Sequence, residues 1–128
     1  MPSHSELIKA DAVTLVDLLQ RGDVTPHDLL DALESRIAAV DGPVNALPTL
    51  CFDRARGHAD RLMRLPPSER GPLAGLPVPI KDLMAVEGVR TTYGSPIFAD
   101  HIPARSDILV ERMEANGGIV AHGVVRRA

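Results

Sequence analysis

Apolar residues change their spacing partway along this chain. In the first third they recur at helical intervals: Val13, Leu15, Val16, Leu18 and Leu19 fall within residues 11–21, and Gly22 follows where a helix C-terminus favours a left-handed residue. Thr25 then stands as an N-cap, with Pro26 at the first helical position and Asp28 in the capping-box place. Leu29, Leu33 and Ile37 repeat at helical spacing until Asp41, Gly42 and Pro43 stop the run. The two segments predict a helical hairpin, preceded by a polar lead-in, MPSHSELIKA, in which Lys9 is a solvated ammonium.

Beyond the hairpin the periods alternate. Residues 45–52, NALPTLCF, are short and apolar enough for a strand, and Pro48, which lacks a backbone donor, assigns it to a sheet edge. Residues 53–65 predict an arginine-rich helix with Ala55, Ala59, Leu62 and Met63 turned inward, ended by Pro66 and Pro67; its arginines read as a solvated outer face. From Gly71 the run GPLAGLPVPIKDL is extended, because X-Pro steps push the preceding residues toward β conformations. Period-two alternation places Leu76, Val78 and Ile80 on one face and Pro77, Pro79 and Lys81 on the other, and the two prolines delete donors along a single edge. After the loop EGVRTTYGSP, Ser106 caps a helix whose stripe is Leu109, Val110 and Met113. Gly117 and Gly118 end it, and GIVAHGVV supplies a last strand. The predicted class is α/β, a helical hairpin followed by alternating strands and helices, in one domain spanning residues 1–128.

Composition narrows the function classes. Hydrophobic residues make up 45%, with no Trp, one Tyr and two Phe, so the core is aliphatic. A formal charge of −3 gives no electrostatic footprint for nucleic acid. The N-terminus lacks a basic region followed by an apolar run, and no segment approaches the ~20 apolar residues of a membrane span; the expectation is a soluble, cytoplasmic chain with no membrane or nucleic-acid partner. Cys51, the lone cysteine, reads as a small buried thiol. His4, His27, His58, His101 and His122 show no metal-ligand spacing, and the glycines at 117–123 lack a phosphate-loop ending, so no metal and no cofactor is expected.

Lys81 is the residue that composition singles out. Of 14 basic residues only Lys9 and Lys81 are lysines, and Lys81 sits between two apolar runs. At the end of a buried strand an ammonium loses hydration, which makes the neutral amine accessible as a base, a role closed to arginine. A surface lysine snorkelling from a strand end, or one paired with Asp82, explains the spacing equally well.

The run GPLAGLPVPIKDLMAVEGVRTTYGSPIFADHIPARSDILVERMEANGGIV resembles the N-terminal part of the amidase signature family, in which a Gly-Pro-Leu-x-Gly-Ile/Leu-Pro-x-x-x-Lys-Asp run carries the catalytic lysine. The likeness continues through Thr91 to Ser95, Pro103 and the helix before Gly117 and Gly118, and extends upstream through VNALPTL; it covers roughly residues 7–120. It implies an incomplete part of that family's α/β/α mixed-sheet fold. It also implies a hydrolase that cleaves carboxylic amide C–N bonds through a Ser, cis-Ser, Lys triad and an acyl-enzyme, with Lys81 in the lysine's place. After GIV the family continues into Gly-Lys-Thr-Asn and a Gly/Ser-rich loop bearing both serines, whereas this sequence reads AHGVVRRA. Ser95 belongs to the loop motif and Ser106 to a helix cap, so neither replaces the missing serines. The resemblance therefore implies an amidase-family chain that is inactive as 128 isolated residues. The alternatives are a non-catalytic interaction module or one half of a split amidase. Expected partners are a small-molecule amide once the site is completed, and a protein partner or self-association through an exposed sheet edge.

Overall fold

The computed structural model describes residues 1–124. Helix α1 (His4–Lys9) occupies the polar lead-in, for which the pattern assigned no element. A capping box forms it: Glu6 N donates to Ser3 Oγ at 3.3 Å and Ser3 N donates to Glu6 Oε2 at 2.7 Å. Leu7 is its buried anchor. Helices α2 (Ala12–Arg21) and α3 (Pro26–Val44) form where the pattern expects them, but α3 packs along α1 and α4 (Phe52–Met63) and not along α2 as the two arms of a hairpin would. Asp11 caps α2, Gly22 closes it with φ 76°, and Thr25 and Asp28 make a second capping box at the start of α3. The expected stop at Asp41–Pro43 is not where α3 ends. The helix carries Pro43 in its last turn and closes at Asn45 in the left-handed conformation, while the Asp41 carboxylate accepts the N–H groups of Ala46 and Leu47 as they leave the helix.

The expected strand at 45–52 shrinks to β1 (Thr49–Leu50), because α4 (Phe52–Met63) begins earlier and α3 ends later than the pattern suggests. Strand β2 (Pro77–Lys81), helix α5 (Ile108–Ala115) and strand β3 (Ile119–Val124) follow. Val125, assigned to the last strand from sequence, lies outside the described residues. The sheet order is β1-β3-β2, with β1 antiparallel and β2 parallel to β3. Pro48 thus precedes an edge strand, as expected. Ile119 N donates to Leu76 O, which turns positions 77 and 79 toward the outer side of β2, and among the described residues no strand pairs there.

Strand β3 is buried on both faces. Ile119 and Ala121 pack with Leu30 and Ile37 of α3 and Phe52, Ala55, Ala59 and Leu62 of α4, whereas Val120 packs on the other side with Ile80, Val86, Val89 and Val110. These layers form an α/β/α arrangement built on aliphatic side chains. A third cluster joins α1, α2 and α3 through Leu7, Leu19, Val24, Leu29 and Ala32. A register irregularity between Val78 and Ile80 divides the face expected to be continuous: Leu76 packs against the helical cluster and Ile80 against Val120.

One capping expectation changes. Asp107 is the N-cap of α5, and Ser106 Oγ accepts from Glu87 N at 2.8 Å instead. Within α5 Val110 is buried, Met113 is half-buried and Leu109 is exposed.

The arginine-rich face of α4 is also more than a solvated surface. Arg56 Nη2 lies 2.8 Å from Asp31 and 2.6 Å from Glu34 of α3, and Arg54 Nη2 lies 2.8 Å from Glu114 of α5. His58 is buried, with Nδ1 3.4 Å from Glu114. Burial holds the His58 imidazole below its ordinary 6.5, and Arg61 and Arg54 push the same way against the opposing pull of Glu114. Above about pH 6.5 both folded and unfolded chains hold a neutral His58; below it the unfolded chain takes the proton first and stability falls. The expected result is a urea midpoint that declines below about pH 6.5, with that part of the decline absent in His58→Gln. An identical profile in both proteins would remove His58 from the account.

Candidate active site

Lys81 stands at the C-terminal end of β2, beside the parallel neighbour β3, with its Cα registered opposite Val124. In open α/β sheets that end of parallel strands is where ligands bind. Its side chain is exposed, so the burial that sequence reasoning considered for this amine is not supplied by the described residues. None of the ion pairs among the described residues includes it.

The chain then turns sharply, with Met84 N donating to Lys81 O at 2.9 Å. Asp82 is engaged elsewhere: its carboxylate accepts from Thr92 N at 2.8 Å through one oxygen and from Thr92 Oγ1 through the other. The rest of the loop is pinned from below. Ala85 N donates to Asp107 Oδ2 at 2.8 Å, Asp107 N returns a bond to Ala85 O at 2.9 Å, Gly88 N donates to Pro103 O and Thr91 N to His101 O. Lys81, Asp82, Arg90 and Thr91 line one small cleft whose floor is Ile80, Val89 and Val120. Arg90 Nε donates to Ala99 O, which holds the guanidinium chain against the loop.

The two serines near this loop are structural. Ser95 Oγ accepts from Ile97 N at 3.3 Å and caps a short turn at Pro96–Phe98, and Ser106 is occupied by Glu87. Cys51, half-buried at the start of α4, donates weakly from Sγ to Val120 O at 3.5 Å. Burial pushes its thiol up to about 11 from 9.0, against the pull of Arg54. Its alkylation by iodoacetamide at pH 8 should be roughly 100-fold slower in the folded chain than in urea, because the thiolate is the reacting form. Equal rates would show the thiol to be open to solvent.

Sequence reasoning singled out Lys81, included Thr92 only within the Thr91 to Ser95 segment, and offered pairing with Asp82 as one alternative for the lysine. The signal for the observed pairing is a Thr-Thr step ten residues downstream, which periodicity does not connect to Asp82. It missed the Arg54–His58–Glu114 group because Arg54 and His58 both sit on a helix face read as wet.

Comparison with known proteins decides the lineage. The family model described as Amidase matches residues 28–122, a span that includes the Gly-Pro-Leu to Lys-Asp run. The chain belongs to the amidase family. A glutamyl-tRNA(Gln) amidotransferase subunit of Roseiflexus sp. (strain RS-1) is 36% identical over 105 residues, 81% of this chain and 22% of the relative. AtzE, a subunit of the 1-carboxybiuret hydrolase of Pseudomonas sp. (strain ADP), is 35% identical over 115 residues, 88% of this chain and 25% of the relative. Among solved structures, fatty acid amide hydrolase superposes with a TM-score of 0.88 over 99% of this chain and 23% of its own, at 18% identity, a likeness of fold. The chain therefore spans about a fifth to a quarter of these amidase-family relatives. Its three-stranded sheet corresponds to part of the family's α/β fold.

Proposed function

We propose that this chain is the lysine-bearing part of an amide hydrolase and that Lys81 is its general base. The observation that carries the reading is the placement of the Lys-Asp run: the amine leaves the C-terminal end of a parallel strand, free of any carboxylate partner among the described residues, in a chain whose one other lysine is Lys9. In this reading a neutral Lys81 takes a proton from a bridging serine, which takes one from the attacking serine. The attacking oxygen adds to the amide carbonyl, the C–N bond breaks, and the proton held by Lys81 returns to the departing amine. Water then cleaves the acyl-serine by the same relay. Both serines come from a segment outside these 128 residues.

Two observations support completion by further polypeptide. Both the Roseiflexus and the Pseudomonas relatives are named as subunits. An open apolar groove lined by Leu7, Leu15, Leu29, Leu76, Pro77 and Pro79 runs along the unpaired side of β2. The substrate is a small carboxylic amide.

The test is complementation. The 128-residue chain alone should release no ammonia from simple amides, and adding a polypeptide that carries an amidase Gly/Ser-rich segment should restore release. Ammonia release by the isolated chain that vanishes in Lys81→Ala would overturn the need for a second segment. No release from any completed assembly would favour the non-catalytic reading, in which Lys81→Ala leaves partner binding intact.

A further inference from the structure

Of the two asparagines in the sequence, Asn45 and Asn116, only Asn116 precedes a glycine. In an Asn-Gly step the glycine nitrogen can attack the asparagine side chain, because no Cβ on the glycine stands in the way. The Gly117 N–H gives its proton to solvent base, the N–Cγ bond forms, and Nδ2 leaves Asn116 as ammonia. Water then opens the cyclic imide at one carbonyl or the other, giving aspartate or isoaspartate. Nothing but water is consumed.

The attack requires the peptide between Asn116 and Gly117 to rotate, and the fold ties that peptide at both ends. Asn116 O accepts from Leu73 N at 2.9 Å, and Gly117 N donates to Glu114 O at 3.0 Å. The leaving amide is tied as well, since Asn116 Nδ2 donates to Arg112 O at 2.7 Å and is held against the last turn of α5. Gly71 packs so close that a Cβ added there would lie 2.6 Å from Asn116 O, which leaves the peptide little room to turn. Asn116 itself is exposed, so water and base reach it; motion is closed, and access is open. We infer that Asn116 is a deamidation site held shut by these three hydrogen bonds, and that its isoaspartate product cannot refold. Isoaspartate adds a carbon to the main chain at the turn into β3, where Gly117 is already fitted so tightly that an added Cβ would sit 2.1 Å from Arg70 O.

The test follows the parent chain over time at one mildly alkaline pH and one temperature, in buffer and in guanidinium chloride. Chromatography and mass spectrometry of the peptide carrying Asn116 resolve its amide, aspartate and isoaspartate forms. Asn45, which precedes alanine, is the reference in the same digest. In denaturant Asn116 should deamidate well ahead of Asn45. In buffer its rate should be at least about ten-fold lower than in denaturant, because a closed peptide reacts only through its open fraction. After dilution from denaturant, chains carrying isoaspartate should stay out of the folded fraction.

A rate in buffer less than about ten-fold below the rate in denaturant overturns the inference. So does a denatured chain in which Asn116 reacts no faster than Asn45. Isoaspartate chains that refold to the urea midpoint of the parent overturn it as well.

Discussion

Gly117→Ala is expected to abolish the cooperative unfolding transition, or to lower stability by about 3 kcal/mol or more. Gly117 lies at φ 91° in the turn from α5 to β3, and a Cβ there would sit 2.1 Å from Arg70 O and 3.0 Å from Ala74 N. Two costs add. A side chain in the left-handed region costs about 1–2 kcal/mol, and the clash is with backbone that cannot rotate away. Arg70 is itself fixed, because it is buried and its Nε donates to Leu62 O and Leu65 O at the end of α4. Shifting Arg70 therefore pulls on α4, while shifting Gly117 displaces β3, the strand buried on both faces. Gly22 is the control: it has φ 76° but nothing within 4 Å of its added Cβ, so Gly22→Ala should cost only about 1 kcal/mol and keep a cooperative transition. Asparagine, which tolerates the left-handed region, should rescue position 22 and fail at position 117. Urea titration followed by circular dichroism separates these cases, and equal midpoints for Gly22→Ala and Gly117→Ala would refute the steric argument.

The second large effect concerns chemistry. In an assembly completed by a serine-bearing segment, Lys81→Ala should lower kcat/KM on the order of 1000-fold, within the range general-base catalysis supplies. Lys81→Arg is the sharper variant. It keeps the positive charge and most of the length but stays protonated at any working pH, so it should be as inactive as alanine if the residue accepts a proton. Retained activity in Lys81→Arg would instead assign the residue a fixed positive charge. Stability should barely change in either variant, because Lys81 is exposed and no ion pair among the described residues depends on it.

Much of the fold was legible where a local rule decides the outcome. Gly22 and the Thr25–Asp28 capping box bound two helices because caps act within four residues, and Pro48 assigned its strand to an edge because a missing donor cannot be hidden. Legibility failed where a distant group overrides a local signal. Asp41 captures the N–H groups of Ala46 and Leu47 and carries α3 past Gly42 and Pro43, against the usual stop. Ser106 has the composition of a cap but is claimed by Glu87, 19 residues away, which leaves Asp107 at the N-cap. His58 reads as wet on its own helix, whereas the fold buries it and sets its Nδ1 3.4 Å from Glu114 of α5.

The site divides in the same way. The Lys-Asp run and the Thr-Thr segment were visible as a motif, and that motif carried the family assignment now shown by the match over residues 28–122. The bond between Asp82 and Thr92 was not visible, since only the folded loop brings the two together. Lys81 burial was equally beyond reach. A lysine at the end of a strand is buried or open according to what packs on that end, and the described residues leave it open.

The most direct test of the central claim is the rate of ammonia release from one simple amide, measured side by side for completed assemblies built on the parent chain, on Lys81→Ala and on Lys81→Arg. The account predicts release with lysine and a loss on the order of 1000-fold with both replacements, at unchanged folding of the 128-residue chain. Activity that survives either replacement would contradict it.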